Sequence, residues 1–379
     1  MSANNLLLIK AQADFAINLL SNVVFKNKPV ESTIISPLSL SMALAMVYVG
    51  ADGETNEEFG KLLSGGLPEK ETHAYFGKLF DSYNNNKAKN YTLDVANKIF
   101  TQEGFKILED FINLIKIYYG GQFQQLNFAK NVEAAKIIND FVEKATKNKI
   151  KDLISSDSLS SDTRLVLVNA VYFKGKWAST FNSNYTHKKV FYVNEDQTKE
   201  VEMMSKTDNF VYFENNEMPY AGDSKDEEEI SMYFLLPKER FGLQKMIENL
   251  NGESLLELFN SGRKERVEVL IPKYKLESTH NLNEILQNMG LTKAFGNEAN
   301  FSKITKEEPL KISKVLQKAF IEVNEKGTEA AAATGIIVIR VSAIIFIPVT
   351  NPKFIADHPF AFMLINNENE ILFNGIFQG

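Results

Sequence analysis

The chain contains no cysteine. Disulfide staples, thiolate nucleophiles and cysteine-ligated zinc are excluded at once. The compartment stays open, because a cytosolic chain and an unbridged secreted one both dispense with cysteine. Histidine is scarce: His73, His187, His280 and His358 are scattered through 379 residues, with no second ligand at metal-site spacing. Neither a metal nor a cofactor is expected. GxSxG, HExxH, GxGxxG and GxxxxGK[ST] are all missing. Triads assemble in space, so a hydrolase is disfavoured rather than excluded. No apolar run reaches the roughly 20 residues of a membrane helix; residues 335–349 fall short and carry Arg340 in their middle. Their β-branched Ile and Val favour an extended strand, and no membrane contact is expected. An excess of positive charge is also absent. A net charge of −6 and a pI near 5.5 give no reason to expect nucleic acid. The densest basic run, Lys144, Lys147, Lys149 and Lys151, follows a helical pattern, where cations complement the helix dipole. A glycosaminoglycan is the weaker reading of that run. The N-terminal residues MSANNLLLIKAQADFAINLL hold only a short apolar run, Leu6 to Ile9, and read as no signal peptide.

What is present is core-forming material. Hydrophobic residues make up 44% of the chain, with 28 Phe, so a large buried core is expected. Neither a repeat nor a Pro/Gly/Ser-rich linker divides it. Ala11, Phe15 and Leu19 recur at helical spacing. SPLSLSMALAMVYVG (36–50) has Ser36 as N-cap, Pro37 at the first helical position and Gly50 as stop. Residues 131–146 repeat the helical pattern through Ile137, Phe141 and Ala145. Strands then dominate. RLVLVNAVYF (164–173) reads as a strand buried on both faces, so Asn169 within it needs a hydrogen-bond partner. Residues 190–214, 231–237, 266–274, 317–324 and 371–377 also read as strands, and the acidic stretch 223–229 as a solvated turn. Helices followed by strands without βαβ alternation indicate an α+β fold. Sequons at Asn90, Asn184 and Asn300 are glycosylation candidates in a secretory setting.

Several segments, in order, resemble the serpin family of protease inhibitors. EVNEKGTEAAAAT (322–334) is similar to the hinge below the family's reactive loop. VNAVYFKGKW (168–177), with Phe181 following, resembles the central strand of its large sheet, with Trp177 where the loop enters. SPLSLSMAL (36–44) resembles its buried second helix, and LIPKYKLEST (270–279), ADHPFAFML (356–364) and ILFNGIF (371–377) resemble strands of its smaller sheets. The resemblance implies a single domain over 1–379, with three β-sheets, about eight or nine α-helices and an exposed reactive-centre loop at about 325–350. It also implies a suicide-substrate mechanism. A serine protease cleaves the loop, and the loop inserts into the large sheet while the protease is still covalently attached. The partner is then the target protease, a cysteine protease being the lesser alternative, and the chain is a monomer with a liability to polymerise. Family precedent points to the extracellular space; the missing leader points to the cytoplasm.

The residues of the hinge suit insertion. In an inserted strand alternate side chains face the core. Thr328, Ala330, Ala332 and Thr334 form one set, and Glu329, Ala331 and Ala333 the other. Every inward position is small and uncharged, so burial strands no charge. Gly327 supplies backbone freedom where insertion starts. Counting from the hinge residue Glu325, the resemblance puts the scissile bond at Val341–Ser342, which suits an elastase-like protease. Arg340–Val341 is the competing register and suits a trypsin-like one, with Ile345 and Phe346 as lesser candidates. The resemblance also implies a buried cluster under the sheet formed by Ser36, Ser39, Asn169 and Gln317. Gln317 stands where many relatives have a histidine; its amide both donates and accepts, and does not titrate near neutral pH.

Overall fold

The computed structural model describes residues 3–25, 29–85, 91–215, 218–223, 230–327 and 351–379. The hinge residues Thr328–Thr334, the candidate bond residues Arg340, Val341 and Ser342, the sequon Asn90 and the acidic stretch 224–229 lie outside the described residues.

The first part of the chain is largely helical, as its pattern suggests, though three strands lie among the helices: α1 (Ala3–Phe25), α2 (Pro37–Tyr48), α3 (Gly53–Ser64), α4 (Glu69–Asn85), α5 (Glu109–Tyr119) and α6 (Asn131–Ala145). Three shorter ones follow among the described residues, α7 (Leu243–Glu248), α8 (Gly252–Ser261) and α9 (Asn283–Asn288). Every residue of α2 is buried, which explains a sequence apolar on all sides. Pro37 opens it as expected, but the Ser36 side chain does not cap it and bonds elsewhere. Gly50 is needed for space rather than as a left-handed stop: a Cβ there would lie 2.1 Å from the Ile304 side chain. In α6 the buried stripe is Ala134, Ala135, Ile138 and Val142. The expected stripe through Ile137, Phe141 and Ala145 is its half-buried flank, shifted because α6 rests on the sheet along the neighbouring ridge.

A five-stranded sheet runs in the order β10 (Tyr274–Asn281), β11 (Ile312–Val323), β4 (Leu165–Lys174), β2 (Thr92–Gln102) and β3 (Phe123–Leu126). The other strands are β1 (Thr33–Ile35), β5 (His187–Tyr192), β6 (Thr198–Glu214), β7 (Pro219–Asp223), β8 (Ser231–Leu235), β9 (Arg263–Pro272), β12 (Lys353–Ile355), β13 (Phe360–Ile365) and β14 (Ile371–Phe377). They form one nine-stranded hydrogen-bonded set. The 17-residue β6 belongs to both of its halves, so the second and third of the three sheets share a strand. The stretch 190–214 is therefore two strands, separated by a turn at 193–197 whose Val193 and Gln197 bond each other. Likewise 266–274 ends at Pro272, and β11 starts at Ile312 rather than 317.

All but the last residue of β4 is buried, as a strand covered on both faces requires. Leu165, Leu167, Val171 and Phe173 face the main core with α2, while Val166, Val168, Ala170 and Tyr172 face a smaller core under α6. Asn139 clamps α6 in place, its amide donating to Ile154 O at 2.8 Å and accepting from Ile154 N at 3.0 Å.

Candidate functional site

The centre of the large sheet is a parallel pair. β4 and β11 hydrogen-bond to each other directly from Leu165/Ile312 to Tyr172/Phe320. Their outer neighbours, β2 and β10, are antiparallel to them. Two sets of side chains hold this pair shut.

The first lies under the middle of the sheet. Asn97, Asn169, Gln317 and His280 occupy one register row across β2, β4, β11 and β10. Gln317 Nε2 donates to Asn169 Oδ1 at 2.5 Å, directly across the parallel pair. The same amide bonds both backbone groups of Ser36 at the start of α2: Ser36 N donates to Gln317 Oε1, and Gln317 Nε2 to Ser36 O, both at 2.9 Å. Asn169 Nδ2 donates to Ser39 Oγ at 2.5 Å and also to Asn97 Oδ1. Ser36 Oγ donates to Leu372 O at 2.6 Å, tying the cluster to β14. Asn169 and Gln317 are both 0% exposed, and neither is left with an idle polar group. All four residues expected in the cluster are therefore brought together. Asn97 belongs with them and was missed, because its segment TLDVANKIF also carries Asp94 and Lys98 and lacks the all-apolar pattern that marks Asn169.

The second set lies where β11 ends. Trp177 Nε1 donates to Asn324 O at 2.6 Å and Phe181 N to Glu325 O at 2.8 Å. The two rings pack edge to face, 5.7 Å between centroids. The Glu325 carboxylate accepts from Thr186 Oγ1 at 2.9 Å and pairs with Lys273 Nζ at 3.2 Å. Burial works to raise the Glu325 pKa, but its own backbone N–H, Thr186 and Lys273 outweigh that and hold it below the usual carboxylate range. Gly327 comes back onto the end of β4, bridging to Lys176 with φ +98°. A Cβ there would sit 2.4 Å from Gly175 O and 2.6 Å from Lys176 Cα, so the position tolerates no side chain. Trp177, Glu325 and Gly327 thus stand together where the sequence placed them. Thr186 caps the short 3-10 turn before β5 and Lys273 links β9 to β10, and neither carries a local pattern that points to Glu325.

A hydrolase reading finds little here. One hydroxyl–imidazole–carboxylate set occurs among the described residues: Tyr119 Oη lies 2.8 Å from His73 Nδ1, and Glu69 Oε1 lies 3.7 Å from its Nε2. Tyr119 is 0% exposed, and burial pushes its phenol well above the usual range, so it can meet no substrate. His358 is structural, with Asp357 Oδ1 at 2.7 Å on Nδ1 and Pro237 O at 2.8 Å on Nε2.

The family model described as Serpin (serine protease inhibitor) matches residues 10–378. The chain belongs to the serpin family. Antichymotrypsin-2 of Bombyx mori is 38% identical over 374 residues, covering 96% of each chain. Antitrypsin of Bombyx mori is 37% identical over 373 residues, covering 96% of this serpin and 92% of the relative. Among solved structures, human thyroxine-binding globulin complexed with its hormone superposes with a TM-score of 0.88 at 27% identity, covering 100% of this serpin and 99% of that chain. The family includes inhibitors and binding proteins, and protease inhibition is its general activity.

Proposed function

We propose that this serpin is a suicide-substrate inhibitor of serine proteases, trapping the acyl-enzyme by inserting residues 328 onward between β4 and β11. The observation that carries the reading is the parallel pair itself. A chain turning back at Gly327 runs antiparallel to β11, and therefore to β4 as well. Insertion replaces one parallel ladder by two antiparallel ones, which are the more stable pairing per residue. It also buries Ile336 and Val338, each contributing about 1.5–3 kcal/mol when fully covered. The length fits: residues 328–341 extend to roughly 46 Å at about 3.3 Å each, against about 40 Å for the 12 residues of β11.

Cleavage at Val341–Ser342 suits an elastase-like pocket, and Arg340–Val341 a trypsin-like one. The relatives' names divide between chymotrypsin and trypsin at 38% and 37% identity, so they do not select a target. The apolar Val at the count of the hinge favours the first register.

The test is incubation with elastase, chymotrypsin and trypsin, read as an SDS-stable complex, with sequencing of the released peptide to identify the bond. Thr328→Arg should convert inhibitor into substrate, because insertion would bury an unpaired charge. Full-stoichiometry trapping by that variant would show that insertion is not the mechanism. The likeness to thyroxine-binding globulin favours a second reading, a binding protein on the same fold. That reading expects cleavage without a complex and little gain in melting temperature afterwards.

A further inference from the structure

We propose that Asn184 is an N-glycan acceptor of this chain in a secretory pathway, and that it is used only before the hinge docks. The second clause rests on the sequon's own hydroxyl. In Asn184-Tyr185-Thr186 that hydroxyl is Thr186 Oγ1, which in the folded protein donates to Glu325 Oε1 at 2.9 Å. Transfer of an oligosaccharide needs the sequon extended and its hydroxyl free for the transferase. The fold provides neither. Residues 183–185 are wound into a short 3-10 turn, with Asn184 N bonded to Asn182 Oδ1 at 2.9 Å.

The finished fold nevertheless has room for the product. Asn184 is exposed, and among the described residues its side-chain amide meets no partner. Tyr185 beside it is 60% exposed, an aromatic face left in solvent against which a sugar ring can rest. The sequon at Asn300 shares the engaged hydroxyl but differs in exposure and in its amide. Asn300 is half-buried, and its Oδ1 accepts from Ser302 N at 3.1 Å. Its backbone N donates to Thr55 Oγ1 at 3.0 Å, and its Nδ2 would lie 3.5 Å from a Cβ at Gly53. The Ser302 hydroxyl of that sequon bonds Asp52 at 3.3 Å. A bulky glycan on Asn300 would crowd the start of α3, whereas Asn184 is already exposed.

The transfer uses a lipid pyrophosphate-linked oligosaccharide. The sugar C1–oxygen bond to the pyrophosphate breaks, a C1–nitrogen bond forms at Asn184 Nδ2, one amide proton is lost, and the lipid pyrophosphate leaves.

The experiment has two arms, neither of which needs a protease. In the first, the full chain is secreted from insect cells behind an added leader and treated with peptide N-glycosidase in 18O water. The peptide carrying Asn184 should gain the label in the parent and in Asn300→Gln, and Asn184→Gln should lose one glycan of intact mass. An unlabelled Asn184 peptide in both overturns the site. In the second, protein made in bacteria is offered to microsomes with the lipid-linked donor, either folded or freshly diluted from urea. Transfer to Asn184 should be on the order of tenfold greater for the unfolded chain, because the folded one must first open locally. Equal transfer overturns the timing. Both arms stand whether or not the chain proves to be an inhibitor.

Discussion

The two fastenings of the β4–β11 pair are built from different chemistry. Under the middle of the sheet they are neutral amides and hydroxyls, fully buried and mutually satisfied: Ser36, Ser39, Asn97, Asn169 and Gln317. At the top they are an ion pair and backbone bonds at a partly open edge, Glu325–Lys273 with Thr186, Trp177 and Phe181. A neutral buried network is strong, because each group left alone loses a bond that water cannot replace. An ion pair at an edge is weaker, and salt and acid act on it. A sheet fastened this way should open first at its top, which is where the proposed mechanism needs it to open.

The largest expected effect is in the middle. Gln317→Leu leaves Ser36 N and Asn169 Oδ1 without partners, while Ser36 O keeps Leu40 N, and should cost roughly 3 kcal/mol, read from urea unfolding. The loss should be the same in 0.1 M and 1 M salt. It should also speed polymerisation on mild heating, since a sheet that opens for its own loop opens for a neighbour's. A variant that melts like the parent would mean that the row does not fasten the sheet.

Gly327→Ala comes next. The left-handed region costs a non-glycine residue about 1–2 kcal/mol, and the clash with Gly175 O adds to it. The hinge should lift away from Trp177. Because this is the chain's single Trp, its emission should shift red without any added probe. Unchanged emission would refute the close approach.

The smallest effect is at the ion pair. Glu325→Gln should cost at most about 1 kcal/mol, and less in 1 M salt. The sign with pH follows from the depressed pKa. The carboxylate's contribution is complete above its ordinary value of 4.5 and is lost as pH falls through the folded value. Parent and variant should therefore converge in acid; a constant difference would exclude Glu325 as the titrating group. His280, next to Gln317 in the row, is the histidine to watch instead of the amide. Burial lowers its pKa, so its contribution is likewise present above 6.5 and falls in acid.

How far the sequence reached can be judged residue by residue. Asn169 announced itself because an amide inside an all-apolar strand must be bonded. Trp177, Glu325 and Gly327 were legible because they lie in short contiguous segments that resemble the family. Asn97 was overlooked because its strand also carries Asp94 and Lys98, so an amide there does not stand out. The roles of Thr186 and Lys273 were not legible: one was read only as part of a sequon and the other as part of LIPKYKLEST, and nothing in either segment points to Glu325 until the start of β5, the β9–β10 junction and the end of β11 come together. Ser36 was read as a helix cap, since local pattern reports only local bonds, while its hydroxyl reaches Leu372 on the last strand.

By itself the sequence determined many of the elements, the family and the small, uncharged character of Thr328, Ala330, Ala332 and Thr334 in the hinge, because periodicity, side-chain size and charge are properties of neighbouring residues. Only the tertiary structure decided that β4 and β11 pair directly, that Gln317 bonds across them, and that Glu325 is held by an ion pair. Those contacts join residues more than fifty positions apart, and no pattern along a chain specifies which distant groups will share a hydrogen bond.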